Sequence, residues 1–159
     1  MTKKAWFIFV ASVILVYTTI SLGAVTRAMG AGMGCGPEWP LCLGYIVPPS
    51  LLKELEVFLE YSHRVTAFSA FLAVLLSFLL AWTSNPAKGA GSLRLWTALT
   101  LLVMVTQVLL GAILVILHLD PVVSALHTML ATLSAITATI AMVEAVTELT
   151  VDLNSCRQL

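Results

Sequence analysis

The segment Val57–Thr83, with the sequence VFLEYSHRVTAFSAFLAVLLSFLLAWT, decides the fold. It carries no charged residue from Val65 onward, and about 20 helical residues cross the ~30 Å hydrocarbon core of a bilayer. An α-helix satisfies its own backbone hydrogen bonds in lipid, whereas a strand needs a closed barrel and an alternating pattern that this segment lacks. The sequence therefore predicts a transmembrane helix here.

Three further apolar segments have the length of a membrane span: Ala5–Leu22, Leu95–Leu117 and Val122–Val143. All six prolines fall between the four segments, where no helical N–H is lost. We therefore predict an all-α integral membrane protein, a four-transmembrane-helix bundle that forms a single domain over residues 1–159. A long loop, residues 23–56, joins the first two helices, and a polar tail follows at 144–159.

The composition agrees with this fold and excludes several classes of protein. Hydrophobic residues make up 60% of the chain and charged residues 10%, where a soluble domain carries about 25% charged residues. Eight basic and eight acidic residues balance to zero net charge, so no basic field favours nucleic acid as a partner.

The distribution of Lys and Arg predicts the orientation in the membrane. With both termini in the cytoplasm, five basic residues lie inside and three lie outside, which agrees with the positive-inside rule. The inner set is Lys3, Lys4, Lys88, Arg94 and Arg157, and the outer set is Arg27, Lys53 and Arg64. The loop 23–56 is then extracytoplasmic and the tail 144–159 cytoplasmic.

Ionisable side chains inside a membrane span are costly and point to function. Glu60, His63 and Arg64 share one helical face at the start of the second span, although a Glu–Arg pair in the headgroup region would also explain two of them. His127 enters the fourth span at a similar depth, roughly 8–9 Å below the outer boundary. Two histidines at one depth on two helices predict a clamp for haem, whose iron accepts axial imidazoles.

Two other polar residues near this level have competing interpretations. Arg27, together with Arg64, is placed to pair with haem propionates, or it is a solvated loop residue. Gln107 lies in the middle of the third span and hydrogen-bonds either to a ligand or to a neighbouring helix. A zinc site is disfavoured because structural zinc takes four ligands and only two histidines converge here.

The outer loop contains Cys35 and Cys42, on the side of the membrane where disulfides persist. The intervening residues 36–41 (GPEWPL) favour turns, so a structural or redox-active disulfide is preferred to two free thiols. A weak internal repeat is also visible, because LGA at 22–24 and again at 110–112 each precedes a helix that carries a histidine. The repeat indicates either two parallel helical hairpins or coincidence.

Six short motifs make the chain resemble the haem A synthases. They are residues 23–27 (GAVTR), 32–35 (GMGC), 39–42 (WPLC), 60–64 (EYSHR), 107–112 (QVLLGA) and 124–127 (SALH). The resemblance runs from about residue 23 to about residue 131. It implies an oxidoreductase that oxidises a porphyrin methyl group of haem O to the formyl group of haem A, for use by terminal oxidases.

The resemblance also implies roles for individual residues. His63 and His127 would be axial ligands of haem iron, Glu60 would be the family's functionally important acidic residue, and Cys35 and Cys42 would form its extracytoplasmic disulfide. It further implies a haem b cofactor, haem O as substrate, haem A as product, and a multi-pass location in the plasma membrane. A haem O synthase and an electron donor are the partners that this chemistry suggests.

Typical members of that family have eight helices in two homologous halves, and this chain supplies one half. If two haems are needed together, the protein is a homo-oligomer, most simply a dimer. The principal alternative is a membrane cytochrome b with two histidine ligands that only transfers electrons. A quinone-linked thiol oxidoreductase is less favoured, because Cys35 and Cys42 are too widely spaced for the C-x-x-C motif.

Overall fold

A computed structural model describes residues 6–83 and 91–157, which form four long α-helices, with irregular segments at residues 29–54 and 117–120. They are α1 (Trp6–Ala28), α2 (Leu55–Thr83), α3 (Gly91–Ile116) and α4 (Pro121–Arg157). All four are long and apolar enough to cross a membrane. The prediction of an all-α protein with four membrane-spanning helices is therefore confirmed.

The helices form a closed four-helix bundle. The most extensive contacts are those of α1 with α2 and of α3 with α4, so these helices form two hairpins. The two hairpins then join through α1 against α4 and α2 against α3. In this ring, α2 and α4 occupy opposite corners, and side chains from both can meet near the bundle axis.

Small and medium side chains fill the middle of the bundle. One buried cluster joins all four helices and consists of Val16, Ala70, Val74, Met104, Ala135 and Ala138. Small residues let helices approach closely where lipid supplies no hydrophobic driving force. Large apolar residues such as Phe68, Leu102 and Met129 are exposed on the outer faces, as a lipid-facing surface requires.

Helix α1 ends later than its apolar run predicts, at Ala28. The N–H of Ala31 donates to the carbonyl of Thr26 (2.8 Å), and the N–H of Gly30 donates to that of Arg27 (3.1 Å). Gly30 has φ = +68°, the left-handed conformation that completes this Schellman motif at little cost for glycine. The first part of the predicted loop is therefore helical.

Helix α3 ends in the same motif but without glycine. The N–H of Leu119 donates to the carbonyl of Leu114 (2.9 Å), and the N–H of His118 donates to that of Val115 (3.1 Å). His118 occupies the position of Gly30 and has φ = +53°. A side chain in this region costs about 1–2 kcal/mol, so the turn between α3 and α4 is strained.

Helix α4 begins at Pro121 directly after its cap. The Asp120 Oδ1 atom accepts hydrogen bonds from the N–H groups of Val122 (2.9 Å) and Val123 (3.0 Å), a standard N-cap. The helix continues beyond the predicted end of the span at Val143, so much of the predicted tail is helical.

Parts of three predictions lie outside the described residues. They are the start of the first span at residue 5, the connection at residues 84–90 and the end of the tail at residues 158–159.

Candidate functional site

His63 lies on α2 with its ring against α1. Its Nδ1 atom is 3.1 Å from the carbonyl oxygen of Thr19, and because a carbonyl only accepts, Nδ1 carries the proton. The other ring nitrogen, Nε2, then keeps its lone pair. A Cβ atom at Gly23 would lie 2.8 Å from Cε1 of the ring, so glycine is needed for the ring to sit this close to α1.

His127 lies on α4 and is backed by α3 in a similar way. A Cβ atom at Gly111 would lie 3.2 Å from Cε1 of the His127 ring, which is closer than an ordinary contact. The side-chain amide of Gln107 donates through Nε2 to the backbone carbonyl of His127 at 2.9 Å. The Nδ1 atom of His127 and the Oε1 atom of Gln107 are both buried, and within the described part of the chain neither has a hydrogen-bond partner.

The two histidines therefore have matching settings in the two hairpins. Each imidazole stands on the second helix of its hairpin and packs on a glycine of the first helix. Since α2 and α4 are opposite corners of the bundle, the two histidines are carried on opposite sides of the bundle axis. The weak LGA repeat in the sequence thus corresponds to a real structural repeat.

Glu60 is almost completely buried, one helical turn before His63. Its Oε2 atom accepts a hydrogen bond from the backbone N–H of Cys35 at 2.7 Å. Its Oε1 atom accepts from Arg64 through Nε (3.0 Å) and also through Nη2. The carboxylate is thus held by a backbone N–H and a forked guanidinium, which is a strong charge-assisted arrangement.

Arg64 links this pair to the long loop between α1 and α2. Its Nη1 atom donates to the backbone carbonyls of Glu38 and Leu41, each at 2.8 Å. The guanidinium therefore has partners on both the helix and the loop. In this arrangement it organises the loop, and the pairing with a haem propionate stays a prediction.

The loop is folded tightly around a disulfide between Cys35 and Cys42, as predicted. Both cysteines are buried and pack against Val57 at the start of α2. A Cβ atom at Gly34 would collide with the backbone carbonyl of Glu56, so glycine allows the loop backbone to rest on α2. The loop, Glu60 and Arg64 therefore form one connected unit above His63.

Arg27 lies in the last turn of α1 and is solvent-accessible. Its Nη1 atom is 3.3 Å from the hydroxyl of Thr128, the residue that follows His127. Because α1 extends to Ala28, Arg27 is a helical residue beside α4 and does not belong to the loop. This position leaves most of the guanidinium available to an anionic group near the two histidines.

The donor set fits haem better than a bare metal ion. No group of three or more His, Cys, Asp or Glu side chains that could hold a metal lies within residues 6–83 and 91–157. A haem brings its own four nitrogen ligands and needs only axial ones. His63 already has Nδ1 hydrogen-bonded to a carbonyl, which is the arrangement that orients a ligating imidazole.

A surface cavity of about 530 Å³ lies away from the histidines and runs along the outer face of α1 between Val13 and Val25. Its lining includes no predicted site residue, so the case for haem rests on the histidines and their partners.

Comparison with known proteins places the chain in a family. Residues 5–157 match the sequence profile of COX15-CtaA, described as a cytochrome oxidase assembly protein. The chain belongs to this family. Membership confirms the family resemblance that the six motifs indicated.

Individual relatives agree with the family match. The chain is 34% identical over 122 residues to the Heme A synthase of Bacillus mycoides (strain KBAB4), covering 77% of this chain and 38% of that protein. The Heme A synthase of Bacillus cereus (strain AH187) gives the same figures. The chain is also 44% identical over 94 residues to a Protoheme IX farnesyltransferase of Thermus thermophilus, covering 59% of this chain and 15% of that protein.

The chain thus spans well under half of each of these relatives. No solved structure matches it significantly. Membership of the COX15-CtaA family therefore rests on sequence similarity.

Sequence reasoning missed the groups that hold the site residues. The carbonyl of Thr19 and the N–H of Cys35 are backbone atoms and leave no mark on the sequence. Gly23 and Gly111 did leave a signal, since both belong to the LGA repeat and each precedes a helix with a histidine. Gln107 bonds to a neighbouring helix in this structure, which is one of the two interpretations that the sequence left open.

Proposed function

We propose that this protein is a haem A synthase that oxidises a porphyrin methyl group of haem O to the formyl group of haem A. Membership of the cytochrome oxidase assembly family and similarity to proteins named Heme A synthase support the class of reaction. The observation that carries the proposal is the pair of glycine-backed imidazoles, His63 and His127, at opposite corners of one bundle. Haem, when bound, supplies the electron-transfer and oxygen chemistry.

In this proposal, the chain binds and orients the macrocycle. His63 and His127 would hold the haem iron, with His63 offering Nε2 because its Nδ1 donates to the carbonyl of Thr19. Arg27 stands beside His127 and binds a propionate by charge-assisted hydrogen bonds. The site takes haem b as cofactor and haem O as substrate, either in two protomers or in turn.

Glu60 is the proposed catalytic carboxylate. It lies one turn from His63, so it is near the edge of a macrocycle held by that histidine. A buried carboxylate there can accept a proton at Oε1 or Oε2, or stabilise positive charge that develops on the porphyrin carbon. Arg64 and the N–H of Cys35 fix its position.

The proposed cellular setting follows from the fold and the family. The protein is a multi-pass plasma-membrane protein with both termini in the cytoplasm and the disulfide loop outside. We propose that two copies associate as a homodimer, because holding a cofactor haem and a substrate haem together takes two such sites. The match to part of a protein named Protoheme IX farnesyltransferase supports a haem O synthase as a functional partner, besides an electron donor.

One observation favours a second candidate, a membrane cytochrome b that only transfers electrons. All the visible interactions of Glu60 are structural, because its carboxylate is occupied by Cys35 and Arg64. Electron transfer needs the two histidines but makes no use of a reactive carboxylate.

Haem extracted from purified protein distinguishes the two candidates. The protein is produced in cells that make haem O, with an empty-vector strain as the control, and the haem is identified by chromatography and mass spectrometry. Haem A or its hydroxylated precursor, present only with this protein, is the expected result. Bound haem b or haem O without oxidised product, under a working electron supply, would instead support the cytochrome.

A further inference from the structure

Two buried polar atoms in the second hairpin lack hydrogen-bond partners. They are the Nδ1 atom of His127 and the Oε1 atom of Gln107, and neither has a partner among the described residues. Buried polar atoms without hydrogen bonds are rare, and each costs about 1–3 kcal/mol. One group can be a donor and the other is an acceptor, so each supplies what the other lacks.

The existing hydrogen bond fixes which atom of the Gln107 amide is the acceptor. Its nitrogen donates to the backbone carbonyl of His127 at 2.9 Å, and a carbonyl cannot donate in return. The oxygen of the amide is therefore the atom left over. The same bond keeps the amide beside the residue whose ring nitrogen is unpaired.

The first hairpin shows the completed form of the same arrangement. Thr19 lies four residues before Gly23, and Gln107 lies four residues before Gly111. In the first hairpin, the glycine backs the histidine and the carbonyl of Thr19 accepts from His63 Nδ1 at 3.1 Å. In the second hairpin the glycine backs the ring in the same way, and the position of Thr19 is taken by Gln107.

We propose that the Gln107 side-chain oxygen accepts a hydrogen bond from His127 Nδ1 when haem is bound, and so acts as a positioning residue for that ligand. The bond places the proton on Nδ1 and leaves Nε2 with the lone pair that iron requires. This inference rests on the proposed haem site and adds to it the group that orients the second ligand. The two histidines then have different partners, a backbone carbonyl for His63 and a side-chain amide for His127.

Two substitutions of Gln107 distinguish a role in orienting the His127 ring from a purely structural role. Gln107→Leu removes both the donor and the acceptor at nearly constant size. Gln107→Glu keeps an acceptor but removes the N–H that holds the carbonyl of His127. Thr106→Val is the matched control, because Thr106 lies at the same depth, is exposed, and bonds within its own helix.

The purified full chain is titrated with ferric haem b, and its dissociation constant and midpoint potential are measured. We expect Gln107→Leu to weaken haem binding by about 10–100-fold and to raise the midpoint potential, because an imidazole without an acceptor is a weaker electron donor. Gln107→Glu should restore most of the affinity and lower the potential. Thr106→Val should match the wild type in both quantities.

Three results would overturn the inference. Equal affinity and potential in wild type and Gln107→Leu would show that no such bond forms. A Glu variant as weak as the Leu variant would assign Gln107 to holding the α4 backbone alone. If His127→Ala binds haem as well as the wild type does, the proposed haem site is wrong. This variant therefore distinguishes an error in the proposed haem site from an error in the proposed role of Gln107.

Discussion

The α1–α2 and α3–α4 hairpins share one scaffold and differ in the chemistry attached to it. In each, a glycine lies seven residues before a left-handed residue that ends the first helix, and it backs a histidine on the second helix. Three residues before His63 stands Glu60, and one residue after it stands Arg64, whereas the same positions around His127 hold Ser124 and Thr128. The packing of a histidine on a glycine is thus repeated, but a Glu–Arg pair beside the histidine is present only in the first hairpin.

The segments that join the two helices of each hairpin also differ, and the additional interactions are again in the first hairpin. The first hairpin is joined by residues 29–54, which carry the disulfide and fold onto Glu60 and Arg64. The second is joined by a short turn at residues 117–120. We propose that the repeat places the two histidines that hold the haem, and that the first hairpin adds the charged groups that act on it.

The largest expected effect is on conversion of haem O by Glu60→Gln. Loss of the ionisable group should lower conversion by roughly 100-fold or more, while haem content stays near wild type. Ser124→Ala, at the equivalent position of the other hairpin, should keep both conversion and haem content. Haem extraction and mass spectrometry measure both quantities, and full conversion by Glu60→Gln would remove Glu60 from the mechanism.

Arg64→Ala should give the largest loss of stability. It leaves the buried carboxylate of Glu60 without its cation, which costs roughly 3–5 kcal/mol in the free energy of unfolding. Thr128→Ala, the equivalent change in the other hairpin, should cost under about 1 kcal/mol. Denaturant unfolding of the solubilised protein provides the comparison.

A double variant tests whether this loss of stability comes from the buried Glu60 carboxylate that is left without a cation. Arg64→Leu with Glu60→Leu removes both charges and should be less destabilising than Arg64→Ala alone. A double variant that unfolds more easily than the single one would contradict this explanation.

Substitution of either glycine by alanine should destabilise the protein, and the loss should be larger where the added methyl group lies closer to the histidine ring. Gly23→Ala places a methyl group 2.8 Å from His63, and Gly111→Ala places one 3.2 Å from His127. Overpacking of this kind costs about 1–3 kcal/mol, with the larger effect at Gly23. Each variant should also weaken binding of ferric haem b in an optical titration.

Gly91→Ala is the matched control for both glycines, because nothing lies within 4 Å of a Cβ atom there. A loss of haem binding in this control equal to that of Gly23→Ala would show that the rings are not what the substitution disturbs.

The smallest effect concerns the two helix ends. His118→Gly should stabilise the protein by about 1 kcal/mol, because glycine adopts the left-handed conformation without strain. Gly30→Ala should destabilise it by a similar amount, since a Cβ atom there meets nothing within 4 Å and only the backbone conformation is penalised. Thermal unfolding midpoints test both, and shifts of the same sign would contradict the equivalence of the two turns.

The apolar pattern predicted the number and type of the helices because lipid imposes both length and composition. It did not predict where α1 ends, because Thr26 and Arg27 are polar but still helical, and the chain turns only at Gly30. The pattern marks the membrane-crossing part of a helix, whereas hydrogen bonding at the C-terminus decides its end. For the same reason, α4 runs well past its apolar segment.

Residues of the candidate site could be predicted from the sequence where an ionisable side chain lies within a membrane span. His63, His127 and Glu60 could be selected because ionisable residues in a span need a reason. The connection from Glu60 to Cys35 could not, because it runs through a backbone N–H on a loop whose path is set by tertiary contacts. The Glu60–Arg64 pair was one of the predicted interpretations, whereas the bonds from Arg64 to loop carbonyls could not be predicted, because only the folded structure brings those carbonyls near.

We propose that His63 and His127 hold a haem between them. The most direct measurement is the electron paramagnetic resonance and absorption spectrum of the purified full chain loaded with ferric haem b. We expect a low-spin signal with two imidazole ligands, which His63→Ala and His127→Ala each abolish and which His118→Ala leaves unchanged. A low-spin bis-imidazole signal that survives in either of the first two variants would contradict it.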